Sequence, residues 1–240
     1  MSEQSAAKVL SLKKSDKTRA LLFRLALGLF RRKGFDAATM RDIAAEAQLA
    51  PGAAYYYFPS KDAIVMDYYN QTVEEHERRV LAGLPQVTNL REGLTLVMQT
   101  KLDLLSEDRP LLQGLFRFAG NPGHPLSVFG PSTRAQREKS IALFRAVVEQ
   151  EEVPEDLRQL LPPALWALHM AIILYFVYDD SPAQERTRRL VDGAMTILAQ
   201  MVALASAPLV HSLLKPIRSR ILDLLRDAQL LPNETAGLSR

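Results

Sequence analysis

Apolar residues return every three or four positions through almost all of the chain, and no stretch alternates apolar with polar as a half-buried strand would. That periodicity predicts an all-α protein. The first element runs from about residue 16 to 33, with Leu22, Leu25, Ala26, Leu29 and Phe30 as its buried stripe. Asp16 suits its positive end, Arg31, Arg32 and Lys33 its negative end, and Gly34 stops it. Two short helices follow. Met40, Ile43, Ala44 and Ala47 line the first, with Thr39 as its N-cap. Pro51 opens the second, which ends at Phe58 before Pro59. Ser60 caps a longer helix that reaches about Gly83, with Ile64, Tyr68 or Tyr69, Val73 and Val80 turned inward. Further helices are predicted over 90–107, 110–119, about 132–151, 155–178, 184–205 and 208–230, with a turn at Asn121 to Pro125.

The two short helices, Thr39 to Lys61 with their caps, have the spacing of a helix-turn-helix. Ala44 and Ala54 are small enough for the pair to cross closely, leaving the second helix free to enter a DNA major groove. Tyr55, Tyr56 and Tyr57 are consecutive, so they cannot all face one core, and at least one phenol must point outward. Phe58, four residues after Ala54, is the expected buried ring.

Charge sharpens this picture. Residues 1–61 carry eleven Lys/Arg against five Asp/Glu, a surplus of six, while the whole chain is only +3. A basic end on a slightly acidic body marks a polyanion-facing module. Residues 1–15 are expected to be an unordered basic arm, with Lys13, Lys14, Lys17 and Arg19 placed to run along phosphates or into a minor groove. The chain has no cysteine, which excludes disulfides, thiolate metal sites and a cysteine nucleophile. The N-terminal stretch has no signal-like apolar run, and the expected location is the cytoplasm. No catalytic motif stands out, so neither an enzyme nor a cofactor is expected. The four histidines are scattered. His76, flanked by Glu74, Glu75 and Glu77, reads as solvated, and so does the Asp179-Asp180 pair. Pro163 to Tyr178 is the most apolar stretch, too short for a bilayer and interrupted by His169, so it reads as a helix buried on all sides rather than a membrane span.

With the helix before it, the helix-turn-helix block resembles the DNA-binding domain of the tetracycline-repressor-like (TetR) family of transcriptional regulators. The matching residues are Leu29-Phe30, Gly34-Phe35, Thr39, Ile43-Ala44, Ala47, Gly52, Tyr55, Phe58 and Lys61. The resemblance covers roughly residues 17 to 66. Two positions depart from it: Gln48 stands where the turn usually has Gly, and Ala50 where a Ser or Thr cap is usual. The resemblance implies an N-terminal three-helix head over 16–59, a linking helix over 60–83 and a ligand-binding and dimerisation body over 84–207. Residues 208–240, an added amphipathic helix and tail, lie beyond it. In this likeness Thr39, Tyr55 and Lys61 face phosphates, Ala50, Pro51, Gly52, Ala53 and Tyr56 face the groove, and Tyr57 touches the backbone. Arg41 is a further donor candidate. The implied partners are a double-stranded operator, a second copy joined through about 158–178 and 186–204, and a hydrophobic effector. Candidate effector contacts are Met98, Gln99, Phe116, Phe118, Trp166, His169, Met170, Tyr175 and Tyr178. The implied function is a ligand-responsive repressor. The sequence leaves open an activator of the same fold, and a helical lipid-handling protein or enzyme with a vestigial head.

Overall fold

The computed structural model describes the backbone of residues 3–227 and the side chains from residue 15 onward. Among the described residues the protein is all-α, as the periodicity predicts. Its helices are α1 (Glu3–Ala37), α2 (Met40–Glu46), α3 (Pro51–Tyr57), α4 (Lys61–Gly83), α5 (Leu90–Leu105), α6 (Arg109–Ala119), α7 (Arg134–Val148), α8 (Glu155–Tyr178), α9 (Glu185–Ser206) and α10 (Pro208–Asp227). Two compact units result. One comprises the chain up to Thr72 together with Leu105–Gln136; the other comprises Val73–Leu104 and the chain from Arg137 onward.

The first unit packs α1 to α3 and the start of α4 against α6 and the loop after it. Leu22, Ala26, Phe30, Ile43, Ala44, Ala54 and Phe58 are all buried there. Removing each large apolar side chain from water contributes about 1.5–3 kcal/mol. Gly34 breaks α1 with φ 79°, a left-handed conformation that suits glycine, and Phe35 follows at once into the core. There Phe35 meets Phe30 at 5.4 Å and Phe118 of α6 at 6.1 Å, edge on. It also lies so near Gly114 that an added Cβ would come within 3.2 Å of its own. Ionic ties reinforce the seam. Arg117 forks onto the Asp36 carboxylate, and buried Asp108 accepts from Arg31 Nε at 2.7 Å and from Tyr68 Oη at 3.0 Å. In the loop, Gly130 is obligatory, since a Cβ there would lie 2.6 Å from the Pro122 carbonyl.

Over the stretch expected as an arm, the backbone is helical from Glu3. Lengthening a helix that is already nucleated adds one hydrogen bond per residue fixed, a step that Ala6, Ala7, Leu10 and Leu12 favour. The side chains of Lys13 and Lys14 lie outside the described residues. Lys17 is exposed, whereas Arg19 pairs with Asp67 and lies 4.6 Å over the Phe58 ring, so it braces the head.

The second unit is a helical bundle whose core includes Val97, Met98, Leu102, Phe144, Val147, Trp166, Ile173, Phe176, Val191 and Met195. Helix α8 runs unbroken through Pro162 and Pro163, which leaves the carbonyls of Arg158 and Gln159 without their usual amide partners. Helix α10 is fastened to the segment of α8 before those prolines, by Arg218 to Asp156 (2.7 Å) and Arg226 to Gln159 (3.0 Å). The expected tail beyond α10 lies outside the described residues. Asp179, read as solvated, is instead buried between α8 and α9. It accepts from the Ser181 amide and hydroxyl (2.9 and 2.7 Å) and from the Thr187 amide and hydroxyl (2.9 and 2.6 Å). Burial alone would raise its pKa, but these four bonds overrule it and hold the carboxyl well below the usual range.

Candidate nucleic-acid interface and effector core

Helix α2 is closed by a full capping box. The Asp42 amide donates to Thr39 Oγ1 at 3.1 Å, and the Asp42 carboxylate accepts from the Thr39 amide at 2.9 Å. These hydrogen bonds to Thr39 lower the pKa of Asp42. The turn to α3 goes through Gln48 at φ 56°, and Ala50 begins α3 with no side-chain cap bond. Both departures from the usual pattern are therefore physical features of this turn.

Helix α3 buries only Ala54, and Phe58 just beyond it is also buried, as its spacing predicts. Everything on the other face is open. Ala50, Pro51 and Gly52 are exposed, and a Cβ at Gly52 would meet nothing within 4 Å. Tyr55 is 49% and Tyr56 80% exposed, with the Tyr56 ring set edge-on against half-buried Tyr57 at 5.1 Å. Ala53 is half-buried, and Arg41 on α2 is exposed. Lys61 is more committed. Its Nζ donates to the carbonyls of Phe35 (2.6 Å) and Asp36 (3.3 Å) and sits 4.5 Å from the centre of the Phe35 ring. Burial lowers its pKa. Lys61 thus ties the start of α4 to the end of α1, with one N–H left for another acceptor.

The nine effector candidates fall in both units. Met98, Trp166 and His169 are buried in the core of the second unit, with Met170 half-buried beside them on α8. Gln99 bonds to Arg188 and Asp192 on that unit's surface. Tyr175 and Tyr178 are exposed on α8. Phe116 and Phe118 belong to α6 of the first unit, where Phe118 stacks on His124 at 4.0 Å.

His76 is the clearest correction. It is 1% exposed, and its Nε2 donates to the Val97 carbonyl at 2.9 Å. Its ring lies 5.9 Å from that of His169, which in turn meets Phe144 edge-on at 5.6 Å. Lys101 is buried nearby; burial depresses both histidines, and the Lys101 charge adds to it. The signal was present in the spacing. His76 lies three residues after Val73 and four before Val80, on the inward stripe of α4. Lys101 occupies a stripe position of α5 between Val97 and Leu105. The flanking glutamates obscured it.

Sequence comparison supplies what this geometry alone does not. Residues 22–67 match the family described as bacterial regulatory proteins, tetR family. Residues 94–217, more than half of the chain, match the tetracyclin repressor-like C-terminal domain. The chain belongs to the TetR family. Among similar proteins, an uncharacterized HTH-type transcriptional regulator of Bacillus subtilis, YuxN, is 32% identical over 87 residues, 35% of this chain and 30% of that protein. The HTH-type transcriptional regulator LuxR of Vibrio harveyi is 23% identical over 150 residues, 60% of this chain and 73% of that one. The fold is shared with solved TetR regulators. One from Nitrosomonas europaea matches with TM-score 0.61 at 15% identity, over 78% of this chain and 98% of that one. One from Streptomyces coelicolor matches with TM-score 0.60 at 22% identity, over 89% and 98%. The TetR family is one of regulatory proteins, not of enzymes.

Proposed function

We propose that the chain is a homodimeric, ligand-responsive transcriptional repressor that holds a DNA operator through α3 and leaves it when a hydrophobic effector occupies the second unit. The observation that carries this reading is the bare outer face of α3. Ala50, Pro51, Gly52, Tyr55 and Tyr56 stand together exposed, on a helix held from behind by Ala54 and Phe58. That face is poor in donors to base edges. Alanine can meet a thymine methyl, the phenols can reach phosphates and edges, and DNA shape carries the remainder of the selectivity. Thr39 and Tyr57 flank it as backbone contacts, and Arg41 and the free N–H of Lys61 are further donors toward phosphate.

A second copy supplies the second recognition helix, placed one helical turn, about 34 Å, or a multiple along the duplex. The outward residues of α8 and α9, Leu174, Tyr175, Tyr178, Leu190, Ile197, Met201 and Leu204, form the apolar surface that such a copy covers. By length and apolarity α8 and the segment 182–206 would each pass for a membrane span. In this reading their outward faces meet protein instead, and the regulator works in the cytoplasm, where its DNA is. Binding-site selection from random duplexes tests the proposal. One preferred site is expected, with a two-fold repeat. Tyr55→Phe and Tyr56→Ala should each weaken it about tenfold while sedimentation still shows a dimer. Equal affinity for all duplexes would refute it.

A further inference from the structure

The second unit holds a cluster of nitrogens for which the folded protein alone gives no account. His76 from α4, Lys101 from α5 and His169 from α8 converge in the apolar core, at 1%, 9% and 2% exposure. His76 Nδ1 and His169 Nε2 are buried with no hydrogen-bond partner. An unsatisfied buried polar atom costs about 1–3 kcal/mol. Burial is the one influence on Lys101, pulling it down to about 8 with no carboxylate to offset it among the described residues. At neutral pH it still carries its proton. Burial and the Lys101 charge hold His76 down at about 3, and burial, His76 and Lys101 hold His169 well below its usual value, so both rings are neutral.

We propose that His76, Lys101 and His169 form the binding site for the carboxyl group of a mainly apolar organic acid, which is the effector of this regulator. The inference rests on the ligand-responsive reading above and names the chemical class of the ligand. A cation is excluded by the ammonium. A phosphate dianion would bring more charge and more lone pairs than three side chains can match. A carboxyl group fits the donors present. One oxygen takes the Lys101 ammonium in a charge-assisted bond, and His169 Nε2, protonated in that tautomer, donates to it or to its twin. His76 spends its Nε2–H on Val97, so its Nδ1 is a bare acceptor. It takes either a second N–H of Lys101 or the O–H of the acid in its protonated form. The buried side chains of Met98, Phe144 and Trp166 give the rest of the ligand apolar surroundings.

The test pairs acids with uncharged amides of the same shape. Decanoate and 2-naphthoate, with decanamide and 2-naphthamide, are titrated calorimetrically into the full-length protein and into Lys101→Met and His169→Phe. At least one acid is expected to bind, at least tenfold more tightly than its amide. Lys101→Met should lose at least tenfold of that affinity while its ligand-free melting temperature rises, because an uncompensated charge has left the core. His169→Phe, checked for folding by circular dichroism, should also lose affinity. The inference is overturned if neither acid binds, if an amide matches its acid, or if Lys101→Met binds the acid unchanged. Release of the selected operator, measured in parallel, separates the two readings. Amides and acids releasing DNA equally would remove the acid preference and leave a ligand-gated repressor. Tight acid binding by a protein that selects no operator would refute the repressor and leave the acid site.

Discussion

Gln48 holds φ 56° without being glycine, in a turn that has no room to be re-routed because Leu49 donates back to the Ala44 carbonyl at 2.9 Å. A left-handed conformation costs a non-glycine residue about 1–2 kcal/mol. Gln48→Gly should therefore stabilise the protein by about 1 kcal/mol, read as a rise in urea midpoint without a change in slope. Ala50→Ser should add a similar amount by capping α3. The buried histidines make an opposite kind of demand. Each stays neutral in the native state, with His76 at about 3, but titrates near 6.5 in the unfolded chain. Between those values the unfolded state binds more protons, so stability rises with pH and falls as the solution is acidified through 6.5. From pH 7.5 to 5.5 the loss is about 1.4 kcal/mol for each ring. Denaturation of His169→Gln at the two pH values should show a loss smaller by about that amount than the parent protein does.

Among the helices, the joint between α1 and α6 concentrates its polar chemistry on Asp108. Asp108→Ala would leave the buried Tyr68 hydroxyl without its acceptor and Arg31 without its closer partner. Because Arg31 is over a third exposed, its share is small. The buried hydroxyl, left with Thr72 as its remaining side-chain partner, dominates, and the expected loss is about 1–2 kcal/mol in thermal or chemical unfolding. Element boundaries were legible where local chemistry marks them. Thr39 and Ser60 as caps, Pro51 and Pro110 in first turns, and Gly34 as a break are all found in place. The positions that misled were those whose partners lie across space. Asp179 looks solvated until Thr187, eight residues on, closes over it. Lys61 resembles a free cation until the end of α1 presents two carbonyls to it. His76 is surrounded in sequence by glutamates that the helix turns away. The outer face of α3 was readable because three adjacent tyrosines cannot share one interior.

For the molecule as a whole, the proposed dimer predicts that one charge on the outer face of α9 undoes both assembly and operator binding. Ile197→Asp, at an exposed site, should leave the fold intact, shift the monomer–dimer midpoint at least a hundredfold in sedimentation, and lower operator affinity in step. A different kind of independence comes from Pro162 and Pro163. Two adjacent rungs are missing from the α8 ladder, and the polar ties of α10 to α8 described above fall on turns on the near side of that gap, at Asp156 and Gln159. Peeling α10 away would free those near turns of α8 and the end of α9, where Arg218 donates to the Ala205 carbonyl, while the part of α8 bearing His169 stays locked in the interior. Hydrogen–deuterium exchange should then resolve two populations along one continuous helix, with amides up to Leu161 exchanging together with α10 and those from Leu165 onward far more slowly.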